Sequence, residues 1–260
     1  MSSGTAEQPA VIVDPDRSTV ELVGSLLRSA RKIRALGAAD VMSAWRLLDL
    51  HEPKLVFIAH APPVLNAPQL TRELRRSDLV ARKAPVVMLA TNPTERQIMA
   101  ARDAGVHEVL RKPFTLSDLT LRVDVVLKKP RDWVEAVGYV GPDRRRFNSA
   151  QFAGQRRRRF DREAASPENA RIGEALKIMK LAIEAIDADP RQALRVLRVQ
   201  SDELQAAAVA IADFSMAGAA KTLKAYLDTA VERGRFSSQE CARELSGLLG
   251  AAPESMRQSA

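Results

Sequence analysis

A few side chains able to do chemistry stand at the ends of short apolar runs. Asp14 and Asp16 follow Val11-Ile12-Val13, Thr91 follows the run 85–90, and Lys112, with Pro113 after it, ends the run 108–112. Paired carboxylates offer hard oxygens to a divalent cation, and an ammonium balances an added anion. His60 adjoins Ala59 at the end of a third run, while His51 and His107 read as surface loop residues. Two arginine clusters, Arg144, Arg145, Arg146 and Arg156, Arg157, Arg158, Arg159, are followed by Phe147 and Phe160. The chain offers no nucleophile–base pair, no metal-ligand cluster and no glycine-rich phosphate loop, so an enzyme is the least supported class.

The elements that must position these residues alternate. Runs at 11–13, 32–36, 54–59, 85–90 and 108–112 read as strands. Between and after them, apolar residues recur at helical spacing: Val20, Val23 and Leu27; Val41, Trp45 and Leu48; Leu70 and Leu74; Ile98 and Ala101; Leu116, Leu119, Val123 and Val126. Five strands alternating with five helices imply an α/β fold, a doubly wound parallel sheet covered on both faces. Such sheets gather their chemistry at the carboxyl ends of the strands. Those ends are Asp14 with Asp16, Ala59 with His60, Ala90 with Thr91, and Lys112.

Beyond the first unit, placed at 9–129, the rhythm stops. Residues 130–165 hold the arginine clusters without apolar periodicity and read as an extended basic linker. Residues 166–250 turn helical. Ser166-Pro167 and Asp189-Pro190 open two helices, a third covers 217–232 up to Gly234, and Ser237 to Glu240 is a capping-box pattern opening a fourth. Apolar stripes through Ile172, Leu176 and Met179, through Leu194, Leu197 and Leu204, through Leu223 and Leu227, and through Cys241, Leu245 and Leu248 predict an all-α bundle.

VIVDPDRS, PKLVFIAHAPP, APVVMLATN and AGVHEVLRKPF resemble the strand-end motifs of the response-regulator receiver family, over residues 9–129. The resemblance implies a flavodoxin-like five-stranded sheet. It also implies an acidic pair holding magnesium, a phosphate-accepting aspartate, a hydroxyl and an aromatic that transmit the change, and a lysine on the phosphoryl oxygens. Asp14 matches the first acid and Lys112 the lysine. The second acid falls on Pro15, the acceptor on Ala59, the hydroxyl on Ala90 with Thr91 displaced by one, and the aromatic on Val109. Four changes together describe a pseudo-receiver that keeps the fold as a docking surface. Asp14, Asp16, Thr91, Lys112 and Pro113 are then remnants of the pocket. Asp14 and Asp16 are weak metal candidates, no cofactor is expected, and the Lys112-Pro113 bond is expected to be cis.

The expected partners are a sensor kinase, another regulator or a second copy, met through the fourth and fifth helices and fifth strand. The net charge is +8. Residues 1–130 carry 19 basic and 14 acidic side chains, 131–165 carry 9 and 5, and 166–260 carry 12 and 13. The excess therefore avoids the helical part. For the arginine clusters, contact with nucleic acid, an anionic ligand, docking to an acidic surface and a solvated linker all stay open. The PilZ arginine motif fits poorly, because Asn148-Ser149 and Gly154 are misplaced and no β-barrel follows. The alternative function is a DNA-binding transcriptional regulator using the linker and a helix-turn-helix stretched over 212–232. Residues 166–260 contain no histidine, which sets aside a phosphotransfer bundle. One cysteine, no signal pattern and no membrane-length apolar run lead to the expectation of a cytoplasmic protein.

Overall fold

The computed structural model describes residues 9–144, 167–233 and 238–251. Five strands, β1 (Ala10–Val13), β2 (Ala35–Ala38), β3 (Leu55–His60), β4 (Val86–Thr91) and β5 (Glu108–Lys112), form one parallel sheet in the order β2-β1-β3-β4-β5. Its helices are α1 (Arg17–Arg31), α2 (Val41–His51), α3 (Ala67–Arg76), α4 (Glu95–Asp103) and α5 (Leu116–Lys128).

Alternation along the strands divides the core. Ala10, Ile12, Phe57 and Leu89 pack with Val23 and Leu27 of α1 and Leu119 and Val123 of α5. Val11, Val13, Ile58 and Met88 pack with Ala44, Leu48, Leu70, Leu74 and Ala101 of α2, α3 and α4. Because side chains point alternately to either face, each strand serves two cores and reads as a continuous apolar run. Asp40, Thr94 and Thr115 build reciprocal caps with Ser43, Gln97 and Asp118, which fixes where three of these helices start.

Three expectations need correction. The second strand begins at Ala35 rather than Lys32. Lys32 sits in the left-handed region (φ 56°) as the C-cap of α1, its N–H donating to the Arg28 carbonyl at 3.2 Å, so residues 32–34 finish the helix and turn the chain. The segment read as a structureless linker starts with a hairpin, β6 (Trp133–Ala136) and β7 (Tyr139–Pro142). Gly141 (φ 151°) makes it possible: a Cβ there would lie 3.0 Å from the Gly105 Cα and 2.8 Å from the Tyr139 hydroxyl.

The chain divides into two compact units. One contains the sheet, its helices, Trp133, Val134 and the residues from Tyr139 to Arg144; the other contains Glu135–Gly138 and the C-terminal helices. The latter are α6 (Pro167–Glu184), α7 (Pro190–Ala210), α8 (Phe214–Arg233) and α9 (Ser238–Ala251). α7 packs on α6 and α8, and α9 packs on α8 and α6, which closes a four-helix bundle. Ile172, Met179, Leu197, Leu204, Leu223, Leu227 and Cys241 fill its centre. The third helix starts at Phe214, not 217, because Asp213 accepts the Met216 N–H at 3.0 Å and nucleates an earlier turn. Ser166, Gly234 and Ser237 lie outside the described residues. No described helix is long and apolar enough to cross a membrane.

Candidate functional site

At the carboxyl edge of the sheet, α1 is set by its own cap. The Asp16 carboxylate accepts the Ser18 N–H at 3.0 Å on one oxygen and the Thr19 hydroxyl at 2.7 Å on the other. Those two bonds, Thr19 first, hold its carboxyl below the usual carboxylate range. Asp14 is 2% exposed. Its Oδ1 accepts the Asp16 N–H at 2.9 Å, and its Oδ2 accepts the Lys112 ammonium at 2.6 Å. Lys112 also donates to the Thr19 hydroxyl at 3.2 Å. This ion pair joins β1 to β5 although β3 and β4 lie between them. The Lys112-Pro113 bond is cis, and so is Pro62-Pro63.

The rest of this edge is apolar or turned outward. Ala59 and Ala90 are buried, and Thr91 is exposed, paired in register with Lys112. Pro15 is exposed and Val109 half-buried. A divalent cation wants about six oxygen ligands. Here both carboxylates spend both oxygens on the α1 cap and Lys112, and neither Pro15 nor Ala59 can supply another. Among the described residues no group of three or more histidine, cysteine, aspartate or glutamate side chains could hold a metal ion. The site does not fit the magnesium that the fold family implies.

His60 is no free base. The Gln97 carbonyl oxygen accepts the Thr94 N–H and hydroxyl, at 2.8 and 3.1 Å, so its amide NH₂ faces the His60 Nε2 at 3.4 Å. His60 Nε2 is therefore the acceptor and Nδ1 carries the proton, with no partner for it among the described residues. Burial lowers its pKa.

Residues 10–124 match the model of the response regulator receiver domain family. They are a receiver domain. Over 118 residues the chain is 26% identical to chemotaxis protein CheY1 of Helicobacter pylori, spanning 45% of this chain and 94% of that protein. It is 30% identical over 103 residues to the transcriptional regulatory protein PdtaR of Mycobacterium tuberculosis, spanning 40% of this chain and 48% of that one. It is also similar to the structure of the Vibrio cholerae chemotaxis protein CheY4, with 21% identity and a TM-score of 0.44 over 47% of this chain and 100% of that one. The chain thus spans about half the length of the transcriptional regulators it matches.

The opposite edge of the receiver sheet holds what sequence reasoning missed. Arg75, at the end of α3, is fully buried. Its Nε and Nη2 donate to the Gly105 carbonyl at 3.2 and 2.9 Å, its Nη1 to the carbonyls of Ala84, at 2.8 Å, and Arg82. Nη2 also reaches His107 Nδ1 at 3.3 Å, which accepts the Val86 N–H as well at 3.2 Å. His107 is therefore protonated on Nε2 and neutral. Burial first, then the Arg75 charge, keeps its pKa well below the usual value, and burial pushes that of Arg75 down to about 9. The histidine read as a surface residue is 7% exposed. His51 ends α2, half-buried.

The hairpin closes over this cage. The Trp133 ring has the Arg75 and Arg82 guanidinium carbons 5.4 and 5.5 Å from its centroid. The Tyr139 hydroxyl donates to the Pro142 carbonyl at 2.6 Å, and burial raises its pKa to about 12. Arg131 and Arg122 pair with the buried Glu108 at 2.8 and 2.9 Å. Arg144 stacks on Tyr139 at 4.2 Å and pairs with Asp103 at 3.2 Å. Arg144, one of the seven candidate anion contacts, is thus built into the receiver; Arg145, Arg146 and Arg156–Arg159 lie outside the described residues. One signal was available: half of the chain's tryptophans and half of its tyrosines fall within 133–139, an odd place for them in a solvated linker.

Proposed function

We propose that this chain is a pseudo-receiver: a non-enzymatic protein of a two-component network, acting by protein–protein contact without phosphorylation at the usual aspartate position. The observation that carries this is the Ala59 methyl group at the end of β3, beside an edge where Lys112 is already paired with the buried Asp14. An acyl phosphate needs a carboxylate nucleophile, and a methyl group provides none. Ala90 and Val109 then leave no hydroxyl or aromatic ring at the switch positions. The partner is a protein: a sensor kinase, another regulator or a second copy. The surface that fits it lies between α4 and α5 at β5, where Ile98, Val109, Leu121 and Pro113 line a groove of about 370 Å³ bordered by Arg111 and Asp118. The buried, single cysteine suits a reducing compartment, and we place the protein in the cytoplasm.

The alternative, a DNA-binding regulator, rests on the helix-turn-helix read over 212–232. Residues 214–233 form one uninterrupted helix, so the turn of such a motif could fall only before Phe214, between α7 and α8. Lys224, one of two lysines that would face DNA there, is ion-paired with Asp202 of α7.

The test is incubation of the full chain with acetyl phosphate, then with kinases from the same cell. No hydroxylamine-labile phosphoryl group is expected on the receiver. Stoichiometric label there would overturn the reading.

A further inference from the structure

The amino edge of the receiver sheet carries a cationic corner that its fold does not use. α1 and α5 end side by side there. Arg31 makes a bidentate pair with Asp124 at 2.8 Å on each arm, and Lys128 adds a third bond to the same carboxylate at 3.0 Å. At and just past these two helix ends lie Arg28, Lys32, Arg34 and Lys129. All four are exposed, and none has an ion-pair partner among the described residues.

A helix C-terminus attracts cations through its dipole. That accounts for Arg28, Arg31 and Lys128, which lie in last turns. Lys32 and Lys129, the C-caps of α1 and α5, fall under the same account, but Arg34, two residues past the cap of α1, does not.

We infer that this corner is a sequence-independent contact surface for the phosphate backbone of duplex nucleic acid. Four unpaired cations at and just past two helix ends match a polyanion rather than a single small anion. Guanidinium groups, two of the four here, suit phosphate oxygens. A membrane-binding surface pairs its cations with apolar anchors, and the corner exposes only Leu127, at 37%. The inference is independent of the pseudo-receiver reading, because it uses the other end of the sheet.

The experiment is fluorescence anisotropy of the full chain with a labelled 25-base-pair duplex of scrambled sequence, across a salt series. Weak binding is expected, Kd on the order of 10⁻⁶ to 10⁻⁴ M at physiological salt, with log K falling linearly with log salt. The quadruple variant Arg28→Gln, Lys32→Gln, Arg34→Gln, Lys129→Gln is expected to lower the salt slope by about 3.6, at roughly 0.9 per lost phosphate contact. A control with the same charge change elsewhere, Arg17→Gln, Arg46→Gln, Arg96→Gln, Arg111→Gln, is expected to lower it much less. Circular dichroism of both variants checks that each still folds. The inference is overturned by no binding at low salt, by equal losses in the two variants, or by binding to anionic phosphatidylserine vesicles in place of the duplex.

Discussion

The two edges of one parallel sheet use their ionisable side chains in different ways. At the carboxyl edge, where such sheets do chemistry, the ionisable groups are few and consumed locally: Asp16 caps α1 and Asp14 holds Lys112. At the amino edge a guanidinium lies fully buried without a carboxylate on it, held by three carbonyls, a histidine and an aromatic lid. The first edge ties its few ionisable groups to one another and to a helix cap. The second holds a polar interior built around a buried cation.

That contrast can be broken by substitution. The largest effect is expected at the cage. Arg75→Ala removes a buried side chain and strips donors from three buried carbonyls, and is expected to cost on the order of 4 kcal/mol. Urea unfolding followed by Trp133 fluorescence in a Trp45→Phe background measures it; a loss under about 1 kcal/mol, the scale of one ordinary hydrogen bond, would make the cage ornamental. At the other edge, Lys112→Met leaves the buried Asp14 carboxylate without its cation, at about 2 kcal/mol, by the same measurement.

Acidity between pH 7 and 5 should act most strongly on the cage. The folded-state pKa of His107 is depressed, so the unfolded chain binds more protons as pH falls. Its contribution is fully present above about pH 6.5 and is lost below it, approaching about 1.4 kcal/mol for each pH unit. His107→Gln should flatten the urea midpoint between pH 7 and 5 relative to the parent. Tyr139→Phe deletes only the bond to the Pro142 carbonyl and is expected to cost about 1 kcal/mol, read as a shift of the same midpoint. The smallest effect sharpens the other half of the contrast. Ala59→Asp alone should remain unlabelled by acetyl phosphate, because Pro15, Ala90 and Val109 still stand at the companion positions. Full labelling of that variant would show that a single residue separates this edge from a working one.

The carboxyl edge was legible in the sequence because it is local. Each position follows from its distance to a strand end, and β3, β4 and β5 fall within one residue of the apolar runs that suggested them. β2 slid by three because Lys32 adopts a left-handed cap, which its residue type does not announce. The amino edge was illegible for the opposite reason. Arg75 follows Arg72 on a polar helix and reads as solvated. Its burial comes from Gly105, 30 residues away, and from Trp133, in a segment whose arginines suggested solvent. Helical periodicity located the bundle well, since Ile172, Met179, Leu197 and Leu223 are all buried. It says nothing of what the bundle binds.

The aromatic lid over Arg75 has a consequence for where the chain can be cut. A gene fusion cut at residue 129 would carry off Trp133 and Tyr139 and leave the guanidinium without its cover. The segment that keeps the guanidinium covered therefore runs on to the residues around Tyr139 and Arg144.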